Sequence, residues 1–166
     1  PFVGVGGAGK LVLRLARGRA GTCAGPFIRR PEGEFHTLVG KRVGLVGLGR
    51  IGSRLGKRLQ GWECEVVYSD ILDFPKEYED AAHVKRVDLN TLYSTSDVVS
   101  LHVPLEPDTR HMMSDRQFAL MKPTAIFINT CRGPVVDEQA LIRAMRNKTI
   151  FGAGMFWGIT AWRDNN

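Results

Sequence analysis

The 166-residue chain has no apolar run that approaches the roughly 18 residues of a membrane span, so we expect no membrane partner. It has only three cysteines, Cys23, Cys64 and Cys131, and they are widely spaced. An odd, scattered set predicts neither a disulfide framework nor a metal site. We therefore expect a reducing setting, which for a chain of this kind is the cytoplasm.

Aromatic residues are also scarce, at 8% of the chain, although the net charge of +6 raises nucleic acid as a partner. Binding to nucleic acid favours basic residues that cluster on one face, with aromatic side chains between them for stacking. No aromatic residues interleave with the arginines of the first thirty residues as a stacking surface would require, and the other basic residues are spread over helix faces. We interpret the charge as solvated surface and expect no nucleic-acid partner.

What the chain does have is 43% hydrophobic and 24% charged residues, enough for one globular domain with a core. Residues 1–39 are expected to be an irregular segment with a basic helix at 11–19. They imitate a phosphate-binding P-loop, but Leu11 stands where that motif needs Ser or Thr to hold magnesium. Because the chain begins with Pro1 rather than Met, we expect a fragment or a processed product.

The strongest signal lies in residues 41–70. An apolar run predicts a buried strand, and three glycines follow in G-x-G-x-x-G spacing: Gly47, Gly49 and Gly52. They allow a tight turn, a close approach of the backbone to a pyrophosphate and close packing of the next helix. That helix offers free N–H groups and the positive end of its dipole to the phosphates. A second apolar run ends at Asp70, which can accept hydrogen bonds from both hydroxyls of an adenosine ribose.

The rest of the chain alternates between strand and helix patterns. After the glycines, Ile51, Leu55 and Leu59 recur every four residues and predict the apolar face of a helix. Further strands are predicted at residues 84–87, 97–101, 125–128 and 151–157. Helices are predicted at residues 88–93, 114–121 and 137–147, and a loop with a short helical turn after Asp70. This alternation predicts an α/β fold with a doubly wound parallel sheet.

Ligands of such sheets bind at the carboxyl ends of the strands, where the predicted glycine loop, Asp70, residues 102–104 and residues 129–132 meet. Arg132 is the most informative residue of this set, because it follows a buried strand and precedes Gly-Pro. Its planar fork can bind a carboxylate through two hydrogen bonds and polarise an adjacent carbonyl. We therefore predict Arg132 as a catalytic residue.

The chain resembles the D-isomer-specific 2-hydroxyacid dehydrogenases in three segments: LVGKRVGLVGLGRIGSRL, SDVVSLHVPLEPDTRHMMS and MKPTAIFINTCRGPVVDEQAL. That family includes phosphoglycerate dehydrogenases and glyoxylate/hydroxypyruvate reductases. The resemblance covers residues 38–154 and implies a Rossmann-type coenzyme domain at 40–157. It further implies NAD as cofactor, hydride transfer to or from a small 2-keto or 2-hydroxy acid, and a homodimer as one allowed assembly.

By position, the resemblance adds cofactor contacts at Arg50, Ile51, Val103, Pro104, Thr109, Thr130, Cys131 and Arg132. The first two would reach the pyrophosphate through backbone N–H groups, and the next three would line the adenosine half. Thr130 and Cys131 would lie near the nicotinamide, and Arg132 would bind the substrate carboxylate. The charge of Asp70 favours NAD over NADP, and His102 and His111 match positions that are not the catalytic histidine.

Some family features have no match in the sequence. Phe156 stands where the family has an Asp that holds the nicotinamide carboxamide, and residues 158–166 form an atypical tail. The catalytic histidine and its supporting Glu have no counterpart, and most of the substrate domain is missing. Residues 10–20 are expected to be a remnant of the connecting helix. We therefore expect weak or no turnover. A non-catalytic NAD-binding or sensing module, like the transcriptional corepressors of this family, is the alternative.

Overall fold

The structure is a computed structural model and describes residues 37–156. In this part of the chain, six parallel strands form one sheet in the order β3-β2-β1-β4-β5-β6. The strands are β1 Arg42–Val46, β2 Glu65–Ser69, β3 Lys85–Arg86, β4 Val98–Leu101, β5 Ile126–Asn129 and β6 Gly152–Met155. The helices are α1 Arg50–Arg58, α2 Lys76–Ala82, α3 Leu89–Thr95, α4 Asp115–Leu120 and α5 Glu138–Arg146. Short 3₁₀ turns at Pro107–Thr109 and Gly133–Val135 follow β4 and β5.

The strand order confirms the predicted doubly wound sheet. β1 pairs with β2 on one side and with β4 on the other, so the winding reverses next to β1. Val46 at the end of β1 is in register with Ser69 of β2 and Leu101 of β4. The carboxyl ends of these strands therefore form one continuous edge, and the crevice at the reversal point is where such sheets bind ligands.

Apolar side chains cover both faces of the sheet, as is typical of parallel sheets. On one face, α3, α4 and α5 contribute Leu92, Phe118 and Leu141 to a buried cluster. On the other face, Leu59 at the end of α1 and Ala82 of α2 belong to a second cluster. Because packed side chains occupy both faces, the open positions for a ligand lie at the edge of the sheet.

The predicted apolar face of α1 is wrong at Ile51. Its side chain is 66% exposed, whereas Gly52, Ser53 and Gly56 are buried. The reason is the short distance between α1 and its neighbours. A Cβ atom on Gly56 would lie 2.6 Å from the carbonyl oxygen of Ala82. Small residues therefore form the packed face, and the isoleucine lies on the solvent side.

Helix boundaries lie close to the predicted ones, and capping residues account for where the helices begin. Asp88 caps α3 by accepting a hydrogen bond from the N–H of Thr91 at 2.9 Å, and Asp137 caps α5. Ser114 precedes α4 and shares a capping box with Gln117. In α5, Ala140, Leu141 and Ala144 are buried, and Met145 packs against the same cluster while half-buried.

Several predictions concern residues that the structure does not describe. The P-loop-like start, the basic helix at 11–19 and the tail at 158–166 all lie outside residues 37–156. The domain limits at residues 40 and 157 stay predictions, although every strand of the sheet lies between them. Among the described residues, no helix has the length and apolar character that crossing a membrane requires.

Candidate dinucleotide site

The glycine loop, residues 47–52, leaves β1 and enters α1. Gly47 has a φ of +94°, and a Cβ atom there would lie 2.6 Å from the carbonyl oxygen of His102. A Cβ atom on Gly52 would lie 2.2 Å from the carbonyl oxygen of Gly47. Both positions therefore require glycine. Gly49 differs, because a Cβ atom there would meet no atom of residues 37–156 within 4 Å. The loop is open at Gly49, as close approach of a ligand to the backbone requires.

α1 begins directly after this open position. No side chain of the described residues caps its N-terminus, and its first turn contains no acidic residue. The first N–H groups of a helix have no acceptor within the helix, so those of Arg50 and Ile51 can donate to a ligand. Together with the helix dipole they favour an anion. This donor set fits the pyrophosphate of a dinucleotide.

Asp70 follows β2 and is bound to the glycine loop. Its Oδ2 accepts a hydrogen bond from the N–H of Leu48 at 2.7 Å, and its Oδ1 accepts one from the N–H of Leu72 at 2.9 Å. A carboxylate can accept about four hydrogen bonds, so capacity remains for two ribose hydroxyls. The contact with Leu48 was not predicted from the sequence. It joins the end of β2 to the glycine loop, the two segments that the sequence predicts to contact the ribose and the phosphates.

The segment after β4 lies beside the same loop. A Cβ atom on Gly47 would lie 3.2 Å from Cγ1 of Val103, so Val103 adjoins the start of the glycine loop. The Thr109 hydroxyl donates to the carbonyl of Pro104 at 2.7 Å and accepts from the N–H of Glu106 at 2.8 Å. Thr109 therefore closes the turn that begins at Pro104, and it shapes this wall of the crevice through the backbone.

Asn129, which the sequence reading did not single out, organises the turn after β5. It is fully buried; its Oδ1 accepts from the N–H of Cys131 at 2.9 Å, and its Nδ2 donates to the carbonyl of Arg132 at 3.1 Å. Its own carbonyl accepts from the N–H of Phe156 at 2.9 Å. A polar side chain at the end of a buried strand was the available signal. These bonds set the conformation in which Thr130 and the arginine are presented, both exposed.

Cys131 connects this turn to β4. Its Sγ donates to the carbonyl of Leu101 at 2.9 Å, and burial raises the pKa of the thiol. The group is therefore protonated at neutral pH and acts as a hydrogen-bond donor, not as a nucleophile. The turn is also held from the other side, where the N–H of His111 donates to the carbonyl of Pro134 at 2.9 Å.

His102 lies at the end of β4, under the glycine loop. Its Nε2 lies 3.0 Å from the Ser100 hydroxyl, and its buried Nδ1 has no hydrogen-bond partner among the described residues. Burial lowers the pKa of His102 to about 4. The ring is therefore neutral at pH 7. Within residues 37–156, no group of three or more His, Cys, Asp or Glu side chains is arranged to hold a metal ion.

The predicted site residues form one band along the carboxyl edge, because β2, β1, β4 and β5 are neighbours in that order. Contacts join Asp70 to the glycine loop, the loop to Val103, and Cys131 to β4. Asp70 and Arg132 lie at opposite ends of this band, three strand spacings or about 14 Å apart. Only an extended ligand can reach both.

Comparison with known proteins agrees with this geometry. A sequence model described as "D-isomer specific 2-hydroxyacid dehydrogenase, NAD binding domain" matches residues 5–155. The chain is 47% identical over 118 residues to a glyoxylate reductase of Thermococcus litoralis, which covers 71% of the chain and 35% of the relative. The chain thus spans about a third of the length of the curated relatives it matches.

Solved structures give the same result. The NAD-complexed D-isomer specific 2-hydroxyacid dehydrogenase of Lactobacillus delbrueckii ssp. bulgaricus matches with a TM-score of 0.67 and 36% identity, over 71% of this chain and 35% of that one. A glyoxylate reductase from Paecilomyes thermophila matches with a TM-score of 0.72 and 31% identity, over 80% and 41%. The chain belongs to the D-isomer-specific 2-hydroxyacid dehydrogenase family and contains its NAD-binding domain.

Proposed function

We propose that this chain binds NAD along the carboxyl edge of the sheet, as the coenzyme part of an oxidoreductase that acts on a D-2-hydroxy acid. One observation carries the proposal. The uncapped N-terminus of α1 follows directly on the open position at Gly49, and the N–H of Leu48, just before that glycine, donates to Asp70. This places an anion site next to an acceptor suited to a ribose, which is the pairing that a dinucleotide requires.

The residue roles follow from the order of the strands. The adenosine ribose would lie over β2 on Asp70, and the pyrophosphate would lie over β1 on the N–H groups of Arg50 and Ile51. The wall formed by Val103, Pro104 and Thr109 would line the adenosine half of the site. Thr130 and Cys131 would border the nicotinamide beyond β4. Asp70 would repel the 2′-phosphate of NADP, so NAD is the preferred cofactor.

When bound, the reduced cofactor supplies a hydride. The contribution of this chain is then to hold and orient the keto acid. Arg132 is exposed at the end of the band, and its fork can bind the substrate carboxylate and polarise the neighbouring carbonyl. The relatives named as glyoxylate reductases support a small 2-keto acid as the substrate.

We further propose that the 166-residue chain by itself has little or no turnover, because reduction of a ketone also needs a proton donor. The neutral, partly buried ring of His102 is bonded to Ser100. His83 follows α2, just before β3 begins, at the opposite edge of the sheet. Phe156 is 62% exposed, and by the resemblance it stands where the family has the Asp that holds the nicotinamide carboxamide. A non-catalytic NAD-binding module is the second candidate, and Phe156 is the observation that favours it.

NAD binding is tested by calorimetric titration of the chain and of Gly49→Val. The variant should keep the far-ultraviolet circular dichroism of the parent, since its side chain enters open space, yet lose NAD binding. Gly47→Ala is the matched control. It should lose thermal stability, because its Cβ would lie 2.6 Å from a carbonyl oxygen. Unchanged NAD affinity in Gly49→Val would show that the loop does not bind the cofactor.

Turnover is tested by NADH oxidation, followed by absorbance, with glyoxylate, hydroxypyruvate or pyruvate in excess. A missing acid–base group lowers rates by roughly a hundred- to ten-thousand-fold, so we expect activity near background. Turnover of about one per second, a rate typical of working enzymes, would contradict the proposal if Arg132→Ala abolished it. His111→Gln would then show whether that exposed histidine supplies the proton.

A cytoplasmic location and a homodimer stay predictions. Light scattering after size-exclusion chromatography measures the assembly directly, and a mass of twice the chain's 18.4 kDa is expected for the dimer.

A further inference from the structure

A chain of hydrogen bonds connects α2 to the glycine loop. The Tyr78 hydroxyl lies 2.9 Å from Oγ of Ser53, and that Oγ lies 2.9 Å from the carbonyl oxygen of Gly49. Because a carbonyl can only accept, the serine gives its single proton to Gly49. The tyrosine must then donate to the serine. Ser53 is 6% exposed, so water has little access to compete for these bonds.

The bonds fix the orientation of one peptide group. The carbonyl of Gly49 accepts from both the hydroxyl and the N–H of Ser53, the latter at 3.1 Å. The peptide between Gly49 and Arg50 is planar and trans, so its N–H points away from its C=O. When the carbonyl is held toward the helix, the N–H of Arg50 points to the open side of the loop.

The tyrosine itself is held in place by aromatic packing. Its ring stacks on Phe74 with centroids 4.9 Å apart and an interplanar angle of 16°. Phe74 in turn meets Tyr68 edge to face at 6.2 Å, and the Tyr68 hydroxyl donates to Glu79. The segment that follows β2 therefore contacts the glycine region twice, through Asp70 at Leu48 and through Tyr78 at Ser53.

We propose that Tyr78, acting through Ser53, is a positioning residue that orients the N–H of Arg50 toward the pyrophosphate. This inference rests on the proposed NAD site at the glycine loop. A loop that is oriented before binding avoids the entropic cost of ordering the peptide when the ligand arrives. The Tyr78 hydroxyl should therefore raise the affinity only for ligands that carry the phosphates.

The test compares NAD with adenosine, which has the ribose but no phosphate. Tyr78→Phe keeps the stacked ring and removes only the hydroxyl. Its affinity for NAD should fall by about two- to tenfold, the value of one hydrogen bond, while its affinity for adenosine stays unchanged. Tyr68→Phe is the matched control. This variant removes a hydroxyl of the same aromatic cluster, but that hydroxyl is bonded to Glu79 and not to the glycine loop. It should therefore lower the midpoint of thermal unfolding and leave NAD affinity intact.

A double-mutant cycle shows whether Tyr78 acts through Ser53 or whether the two residues affect NAD affinity independently. Ser53→Ala should lower NAD affinity by a similar factor, and adding Tyr78→Phe to it should cause no further loss. Full NAD affinity in Tyr78→Phe, an equal loss for adenosine, or additive losses in the double variant would each overturn the proposal. If the parent chain fails to bind NAD, the cofactor site itself is wrong, and the role of Tyr78 falls with it.

Discussion

The carboxylate of Asp70 accepts a hydrogen bond from the N–H of Leu48 at 2.7 Å, across 22 residues of chain. This bond makes the acid at the end of β2 a support of the glycine loop as well as a candidate partner of the ribose. Its other oxygen is bonded to the N–H of Leu72, so the side chain is held on both sides. Changes at Asp70 should therefore alter affinity and cofactor choice together.

We expect the unaltered chain to bind NAD more tightly than NADP, because Asp70 repels the 2′-phosphate. Asp70→Ser should reduce the difference in affinity between NAD and NADP. It should also weaken NAD binding by about tenfold, because the bond to Leu48 is lost. Asp70→Asn removes the charge but keeps an oxygen that can accept from Leu48. In this variant the difference in affinity between NAD and NADP should also become smaller, and the loss of NAD affinity should be less than in Asp70→Ser. Equal affinity of the parent for both cofactors, measured calorimetrically, would contradict this assignment.

The partly buried ring of His102 should make stability depend on pH. Burial lowers the pKa of His102 from 6.5 to about 4, so between these values only the unfolded chain binds the proton. The contribution of the neutral ring to the free energy of unfolding is therefore fully present above pH 6.5. It declines as the pH falls toward 4, by up to about 3 kcal/mol. Urea unfolding at several pH values measures this slope.

His102→Gln should flatten that pH dependence, because it removes the titrating group while keeping a polar side chain. His111→Gln is the control, since His111 is exposed on the loop after β4. It should preserve the slope of the parent. A slope that is the same in the parent and in His102→Gln would show that the lost stability comes from other groups.

Replacing Asn129 should lower the free energy of unfolding, because its amide makes two hydrogen bonds to the backbone. Asn129→Ala leaves the N–H of Cys131 and the carbonyl of Arg132 without their bonds to its amide. Loss of both hydrogen bonds of a fully buried amide costs about 2 to 4 kcal/mol of unfolding free energy, measurable by urea denaturation. Thr130→Ala, at the exposed neighbouring position, should change it by less than about 0.5 kcal/mol. Similar losses in the two variants would contradict the role assigned to the amide.

Local signals were sufficient for most of the secondary structure. Asp88, Ser114 and Asp137 were readable as helix starts because a capping side chain bonds to N–H groups within the next three residues. The six strands were readable as short apolar runs, and their alternation with helices leaves few topologies besides a doubly wound sheet. The glycine spacing and Asp70 then pointed to a dinucleotide before any coordinates were needed.

The packed face of α1 shows where such signals stop. Periodicity assumes that large apolar side chains fill the space between a helix and its neighbours, and on that assumption Ile51 faces inward. The distance between α1 and α2 decides otherwise, since a Cβ on Gly56 would lie 2.6 Å from a backbone oxygen. Glycine contributes no apolar signal to a periodic pattern, so the pattern predicted only the large apolar residues of this face, and the part that Gly56 plays in it is seen only in the folded chain.

The amino-acid sequence by itself determined the family, the order of strands and helices, and the residues that follow each strand. Only the tertiary structure decided how those residues are connected: Asp70 to Leu48, Tyr78 through Ser53 to Gly49, and Asn129 around Arg132. The physical reason is the range of the interactions. Caps and periodicity act within a few residues, whereas bonds such as that from Tyr78 to Ser53 join separate elements and exist only once strand register and helix spacing bring the donor to its acceptor.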